Sequence, residues 1–155
     1  MAVTEGACRL GRWIVRVTCE DGVVLRVEFT EGEPWGHVPA PIAAYCRGEP
    51  VELEELRSVA LERPGRSAEI YRECLATRYG TTTTYRAIAR TVGTSARAVG
   101  QALRRNPTPL LIPCHRVIAS DGSPGGFSPS PAIKQYLLSM ERGCPQRLNG
   151  HGLNL

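Results

Sequence analysis

Between residues 23 and 29, Leu25, Val27 and Phe29 alternate with Arg26 and Glu28, the period-two pattern of a strand with one buried and one wet face. Residues 13–19 are similarly rich in β-branched and aromatic side chains. Asp21-Gly22 stands between the two runs and is a strong hairpin signal, so residues 9–30 read as a β-hairpin. Residues 34–41 read as a loop, and residues 41–48 as a short helix with Pro41 at its start and Gly48 at its stop. Residues 51–61 are ambiguous between a strand and an irregular acidic segment. Trp13 and Trp35 are read as core or lid residues.

Pro64-Gly65-Arg66 breaks the pattern, and the period then changes to that of helices. Ser67 is placed as the N-cap of a helix over 68–78, with Ile70, Cys74 and Leu75 on one face. Tyr79-Gly80 stops it and a polar run, Thr81 to Thr84, leads on. In residues 85–92, Tyr85, Ile88, Ala89 and Val92 fall at i, i+3, i+4 and i+7. Gly93-Thr94 makes a turn, and Ser95 caps a second helix over 96–105. Two short helices joined by a glycine-containing turn form a helix-turn-helix. The second helix carries Ala96, Arg97, Gly100, Gln101 and Arg104 on one face, slim and basic enough to lie close to nucleic acid. A last helix over 132–142 sets Ile133, Tyr136, Leu137 and Met140 in an apolar stripe. The expected fold is therefore α/β or α+β. A small N-terminal sheet domain (residues 1–63) precedes a mostly helical C-terminal domain (residues 64–155) with a winged-helix-like helix-turn-helix.

Leu110 to Ile112 is an apolar run short enough for one buried strand or extended segment, stiffened by Pro107, Pro109 and Pro113. Cys114 and His115 follow at once, then Arg116. A thiol beside a His is a candidate nucleophile, because the thiolate is the reactive form and a neighbouring base or cation favours it. The structural alternative is a small buried cysteine after an apolar run.

Charge divides unevenly. Residues 1–68 carry eight Arg against eleven Asp and Glu, a net of −3, while residues 69–155 carry ten Arg and Lys134 against four acids, a net of +7. A polyanion would meet the second half. The six cysteines include no Cys-x-x-Cys pair, so a metal site is not expected and the thiols are read as reduced. No apolar run reaches the roughly 20 residues of a membrane span, and the start of the chain has no basic-then-apolar leader. A cytoplasmic or nuclear location is expected. The loop 118–128 is glycine-rich but has no phosphate-loop pattern.

Pro113-Cys114-His115-Arg116-Val117, preceded by Asn106-Pro107, resembles the active-site signature of the O6-alkylguanine-DNA alkyltransferases, and the resemblance covers roughly residues 65–143. It implies an RNase H-like N-terminal domain and a single-turnover transfer of an alkyl group from O6 of guanine in duplex DNA to Cys114. No cofactor is implied. The protein would act as a monomer on the minor groove, independently of base sequence. By resemblance, Arg97 enters the duplex in place of the extruded nucleotide, with Ala96, Gly100, Gln101, Arg104 and Thr84 close to the DNA. A stacked, paired base hides its O6, so extrusion makes chemical sense. Tyr85 would touch the flipped guanine and give its ring a proton. Glu141 and His115 would complete a relay through water to Cys114, and Asn106 would be a hinge; Lys134 matches a position near the site. Pro109, Phe127 and Ser128 would line the pocket. Phe127 stands where the family commonly has Tyr, and Pro129-Ser130-Pro131 departs from its pattern, which bears on the range of alkyl groups accepted.

Two rival classes share some of these features. A lesion sensor or helix-turn-helix regulator would bind DNA without chemistry, and Cys114 argues against it. A cysteine hydrolase would need His115 to reach Cys114 directly, yet neighbours in an extended chain point to opposite sides. On the sequence alone, Glu141 is open between a solvent-facing side chain near Arg142 and the implied buried relay.

Overall fold

In the computed structural model, which describes residues 2–125 and 130–143, strands β1 (Val3–Leu10), β2 (Trp13–Glu20) and β3 (Val23–Thr30) form an antiparallel meander. Asp21 and Gly22 both take positive φ, 51° and 82°, as a tight two-residue hairpin turn requires. The expected hairpin is present, with β1 as an added third strand. Two short strands complete the sheet in the order β4-β1-β2-β3-β5, with β4 (Trp35–Gly36) inside the stretch read as a loop and β5 (Arg57–Ser58) running parallel to β3. Trp35 is 48% exposed on this edge, so it is not a core residue.

Helix α1 (Ala40–Cys46) has Pro41 in its first turn and buries Ile42 and Tyr45 against the sheet. Helix α2 (Arg66–Leu75) begins and ends earlier than expected. Gly65, at φ 143°, is the N-cap without a side-chain hydrogen bond, so Ser67 lies inside the first turn rather than capping it. A backbone angle open chiefly to glycine lets the chain enter the helix two residues sooner. Strand β6 (Thr83–Thr84) leads into α3 (Tyr85–Val92), closed by Gly93 in the left-handed conformation. Helix α4 (Ala96–Arg104) follows, capped by Ser95 Oγ accepting from the Ala98 N–H at 3.1 Å. The helix-turn-helix is thus present as expected. Strand β7 (Val117–Ile118) pairs in parallel with β6, and α5 (Pro131–Glu141) is capped by Ser130. Among the described residues no helix is long and apolar enough to cross a membrane. The architecture is mixed α and β, a sheet followed by a helical half.

Two apolar clusters hold these elements. One joins the sheet and α1 to Ile133, Leu137 and Met140 of α5; the other joins α2, α3 and α4. The proline-rich segment crosses from one to the other, with Leu110 and Leu111 in the first cluster and Ile112 and Cys114 in the second. It is no strand. Leu110 has φ 81°, and the Ile112 N–H returns to the Thr108 carbonyl at 3.0 Å, which makes a tight turn. Pro107 and Pro109 withhold the N–H groups that strand pairing needs, so the run buries its side chains by turning. Two bonds tie the segment to the sheet: Val27 N–H to Pro107 O at 2.9 Å, and the buried Ser58 and Thr108 hydroxyls at 2.7 Å.

A left-handed leucine costs roughly 1–2 kcal/mol, whereas deleting a buried leucine side chain costs about 2–5 kcal/mol. Burial therefore wins. Leu110→Gly should destabilise the fold by about 1–3 kcal/mol in denaturant titration, the loss of burial less the backbone strain that glycine relieves.

Candidate active site

Pro113 has φ −77° and ψ 64°, and the Cys114 N–H closes on the Ile112 carbonyl at 2.6 Å, forming an inverse γ-turn. Proline's ring presets that φ. Cys114, His115 and Arg116 then make one 3-10 turn, with all three side chains buried. This corrects the expectation of an extended chain at Cys114-His115: the turn sends each side chain to its own partners. Asn106 Nδ2 donates to the Cys114 sulfur at 3.3 Å and to the Ile112 carbonyl at 3.0 Å, while its Oδ1 accepts from the Thr108 N–H at 3.0 Å. One amide thereby locks both ends of the turn around the thiol.

A cavity of about 260 Å³ opens at Cys114, walled by Leu103, Asn106 and Pro109 and by residues Val27 to Phe29 of β3. Burial pushes the Cys114 thiol up to about 11, against the pull of the Asn106 N–H and the Lys134 charge. Burial thus favours the thiol over the thiolate at neutral pH.

His115, with 0% exposure, faces the other way. Its Nε2 lies 2.6 Å from Glu141 Oε2 and 3.3 Å from Tyr45 Oη. Glu141 is buried in its turn, so of its two open placements the structure shows the inward one. Arg116 donates to both of its oxygens through Nε at 2.9 Å and Nη2 at 3.0 Å; the Gly80 N–H donates at 3.1 Å, and the Tyr45 hydroxyl donates to Oε2. Burial raises a carboxyl's pKa, but the bonds from His115 and Arg116 outweigh it and hold Glu141 well below the usual range. Burial pulls His115 below its ordinary value, only partly opposed by Glu141.

The hydrogen-bond pattern settles the tautomer. An ionised carboxylate can only accept, so Nε2 carries the hydrogen facing Glu141. Nδ1 is left as the basic nitrogen. It is also the buried side-chain polar atom among the described residues that has no hydrogen-bond partner.

Tyr85, at the start of α3, packs against the cluster containing Cys114. Burial and the nearby Cys114 and Cys74 push its phenol up, so it stays protonated. Lys134 Nζ donates to the Val117 carbonyl at 2.7 Å and to Tyr85 Oη at 3.4 Å; burial pulls this ammonium down to about 8. On the outer face of α4, Ala96, Arg97, Gln101 and Arg104 are exposed and Gly100 is half-buried. The Thr84 hydroxyl accepts from the Ala87 N–H at 3.0 Å as the cap of α3. Phe127 and Ser128 lie outside the described residues. Cys114, Asn106 and Pro109 thus share the cavity wall, with His115 and Glu141 behind it and Tyr85 and Lys134 forming a separate pair. Sequence reasoning missed Tyr45 and treated Arg116 only as a cation. Both serve Glu141, and neither has a sequence pattern that marks the service.

Because the folded pKa of Glu141 is depressed, its stabilisation is complete above the ordinary value of 4.5 and drains as pH falls below it. Glu141→Gln, which strands the buried Arg116 charge, should cost about 3–5 kcal/mol at pH 7. Urea titrations of both proteins should show the gap narrowing steadily below that value.

Residues 66–143 match the family model for the 6-O-methylguanine DNA methyltransferase, DNA binding domain. Methylated-DNA--protein-cysteine methyltransferases from Saccharolobus solfataricus and Sulfolobus acidocaldarius are 41% and 42% identical over 97 residues, 63% of this chain. The matched part spans 62% and 61% of those relatives' lengths, less than two thirds. Among solved structures, Mycobacterium tuberculosis OGT in complex with DNA superposes at TM-score 0.76, with 24% identity over 92% of this chain and 95% of that one. An O6-methylguanine DNA methyltransferase from Methanococcus jannaschii gives TM-score 0.64 with 30% identity over 88% of this chain and 92% of its own. On the match over 66–143, seated on this fold and this buried Cys-His-Glu arrangement, the chain belongs to the 6-O-methylguanine DNA methyltransferase family.

Proposed function

We propose that this protein repairs DNA by moving an alkyl group from O6 of guanine to the Cys114 sulfur, once per molecule. The observation that carries the reading is the paired state of His115: Nε2 is committed to Glu141 and Nδ1 is without a hydrogen-bond partner, while the preceding residue in the same turn carries a buried thiol that must be deprotonated to react.

His115 Nδ1 takes the thiol proton through an intervening water, since the two side chains hold different partners. The Asn106 N–H and the Lys134 charge stabilise the thiolate as it forms. Sulfur attacks the alkyl carbon in line, and the carbon–O6 bond breaks as the sulfur–carbon bond forms. The bonding pair leaves with guanine, whose ring takes a proton from Tyr85 Oη. Lys134, 3.4 Å away, restores that proton. The proton lost by Cys114 thus balances the one gained by guanine. A thioether has no leaving group to match alkylguanine, so no second turnover follows. Nothing in these steps calls on a cofactor.

Residues 64–155 carry this chemistry and residues 1–63 brace it, acting as a monomer. The exposed face of α4 enters the minor groove without reading base sequence, and Arg97 fills the space left by the flipped guanine. Arg104 and the Thr84 hydroxyl hydrogen meet phosphates. Pro109 walls the base pocket. Gly100 supports close approach: a Cβ added there would meet nothing within 4 Å, so packing gives no reason for a mid-helix glycine.

The test is intact and peptide mass spectrometry after incubation with a duplex containing O6-methylguanine. One added methylene on the Cys114 peptide is expected, saturating at one equivalent and absent in Cys114→Ser. Binding without mass gain would leave a lesion sensor instead. Gly100→Ala should raise stability by roughly 1 kcal/mol while weakening duplex binding in fluorescence anisotropy. Unchanged affinity would remove the close-approach argument.

A further inference from the structure

Tyr45 belongs to α1, 70 residues before His115 and 96 before Glu141, yet its hydroxyl reaches both. The ring is 1% exposed and packs edge-on against Tyr79, with centroids 5.9 Å apart. Tyr79 in turn lies under the Arg116 guanidinium at 5.7 Å. A buried tyrosine could satisfy its hydroxyl on any carbonyl. This one spends it on the carboxylate that orients the base.

We infer that Tyr45 is a positioning residue for alkyl transfer, its hydroxyl holding Glu141 so that His115 keeps its hydrogen on Nε2 and its base on Nδ1. The inference rests on the reading of His115 as the general base. Two effects follow from the geometry. The phenol donates to Oε2, which also meets Arg116 Nη2 at 3.0 Å and His115 Nε2 at 2.6 Å, so three donors share that oxygen and fix its orientation toward the imidazole. It also shares the carboxylate's charge, so Glu141 draws His115 less strongly toward the imidazolium form, which could not accept the thiol proton. Burial and the Glu141 charge keep Tyr45 a neutral donor.

Other groups face the same imidazole. Lys134 and Arg116 disfavour its protonation, Glu141 favours it, and Glu52 reaches it only through Arg116 Nη1 at 3.6 Å. The Cys114 thiol precedes it in the chain. Losing the Tyr45 hydroxyl leaves Glu141 less satisfied, so His115 should titrate at higher pH and a larger share of it should be charged in mild acid.

The decisive measurement is a nitrogen-15 NMR titration of His115 in wild type and Tyr45→Phe, without DNA. We expect the Nε2–H tautomer in wild type. In the variant the midpoint should move up, with a mixed tautomer population. Transfer kinetics should show Tyr45→Phe several-fold slower near pH 6 and converging on wild type toward pH 8, with duplex affinity unchanged. If Tyr45→Phe does not fold, 3-fluorotyrosine at residue 45, a stronger donor, should move the midpoint down instead. An unchanged midpoint and tautomer overturns the inference. Failure of wild type to transfer any alkyl group would overturn the proposed function and leave the titration result standing.

Discussion

A carboxylate with almost no exposure must be met by donors on every side, because a buried unpaired charge costs several kcal/mol, a large part of a small domain's margin of stability. Glu141 meets that demand with four donor residues from three places in the chain: Tyr45 on α1, Gly80 after α2, and His115 and Arg116 on the cysteine turn, all converging on the last turn of α5. Satisfying the charge therefore assembles the site. In the proposed transfer it also decides the chemistry, because the only hydrogen a neutral His115 can offer is spent on Glu141, which leaves Nδ1 to act as the base. Arg116 carries the counter-charge, so the imidazole can remain neutral and accept a proton.

The thiol is held by a different device. Pro113 and Asn106 fix the Cys114 turn, and the segment leading to it spans both apolar clusters, with bonds to β3 and β5. The sheet half thus supplies a wall of the cavity through β3 and a hydroxyl to the base through α1, although it contributes no reacting atom to the proposed transfer. A misplacement on the order of 1 Å can cost about a hundredfold in rate, so the proposed transfer depends on this bracing.

Much of this was legible in local signals. Asp21-Gly22 announced its hairpin, and Thr84 and Ser95 stand at the starts of α3 and α4 where helix periodicity begins. The Cys114 motif marked the turn on which the buried thiol and imidazole sit. Elements set by distant contacts were not legible. β1 was missed because Gly6 sits mid-strand, where a side chain would strike the His37 backbone at 2.3 Å; that glycine reflects a crossing chain, not a turn. Ser67 looked like a cap because its chemistry suits one, but the Gly65 backbone had already started the helix. Leu110 to Ile112 has a strand's composition, yet its flanking prolines leave it to turn. Tyr45 carried no signal, since its partners lie 70 and 96 residues away. Glu141 could be buried or exposed on pattern alone, and the structure's donors decide it.

The central claim is that Cys114 rests as a protonated thiol and gains reactivity from His115 rather than from a standing thiolate. A thiolate absorbance titration of the DNA-free protein, taken as the difference between wild type and Cys114→Ser, tests it most directly. The account predicts no Cys114 thiolate through neutral pH, with absorbance appearing only toward about 11. A thiolate already present at neutral pH would contradict it, because a preformed nucleophile would leave the buried His115–Glu141 pair without a proton to move.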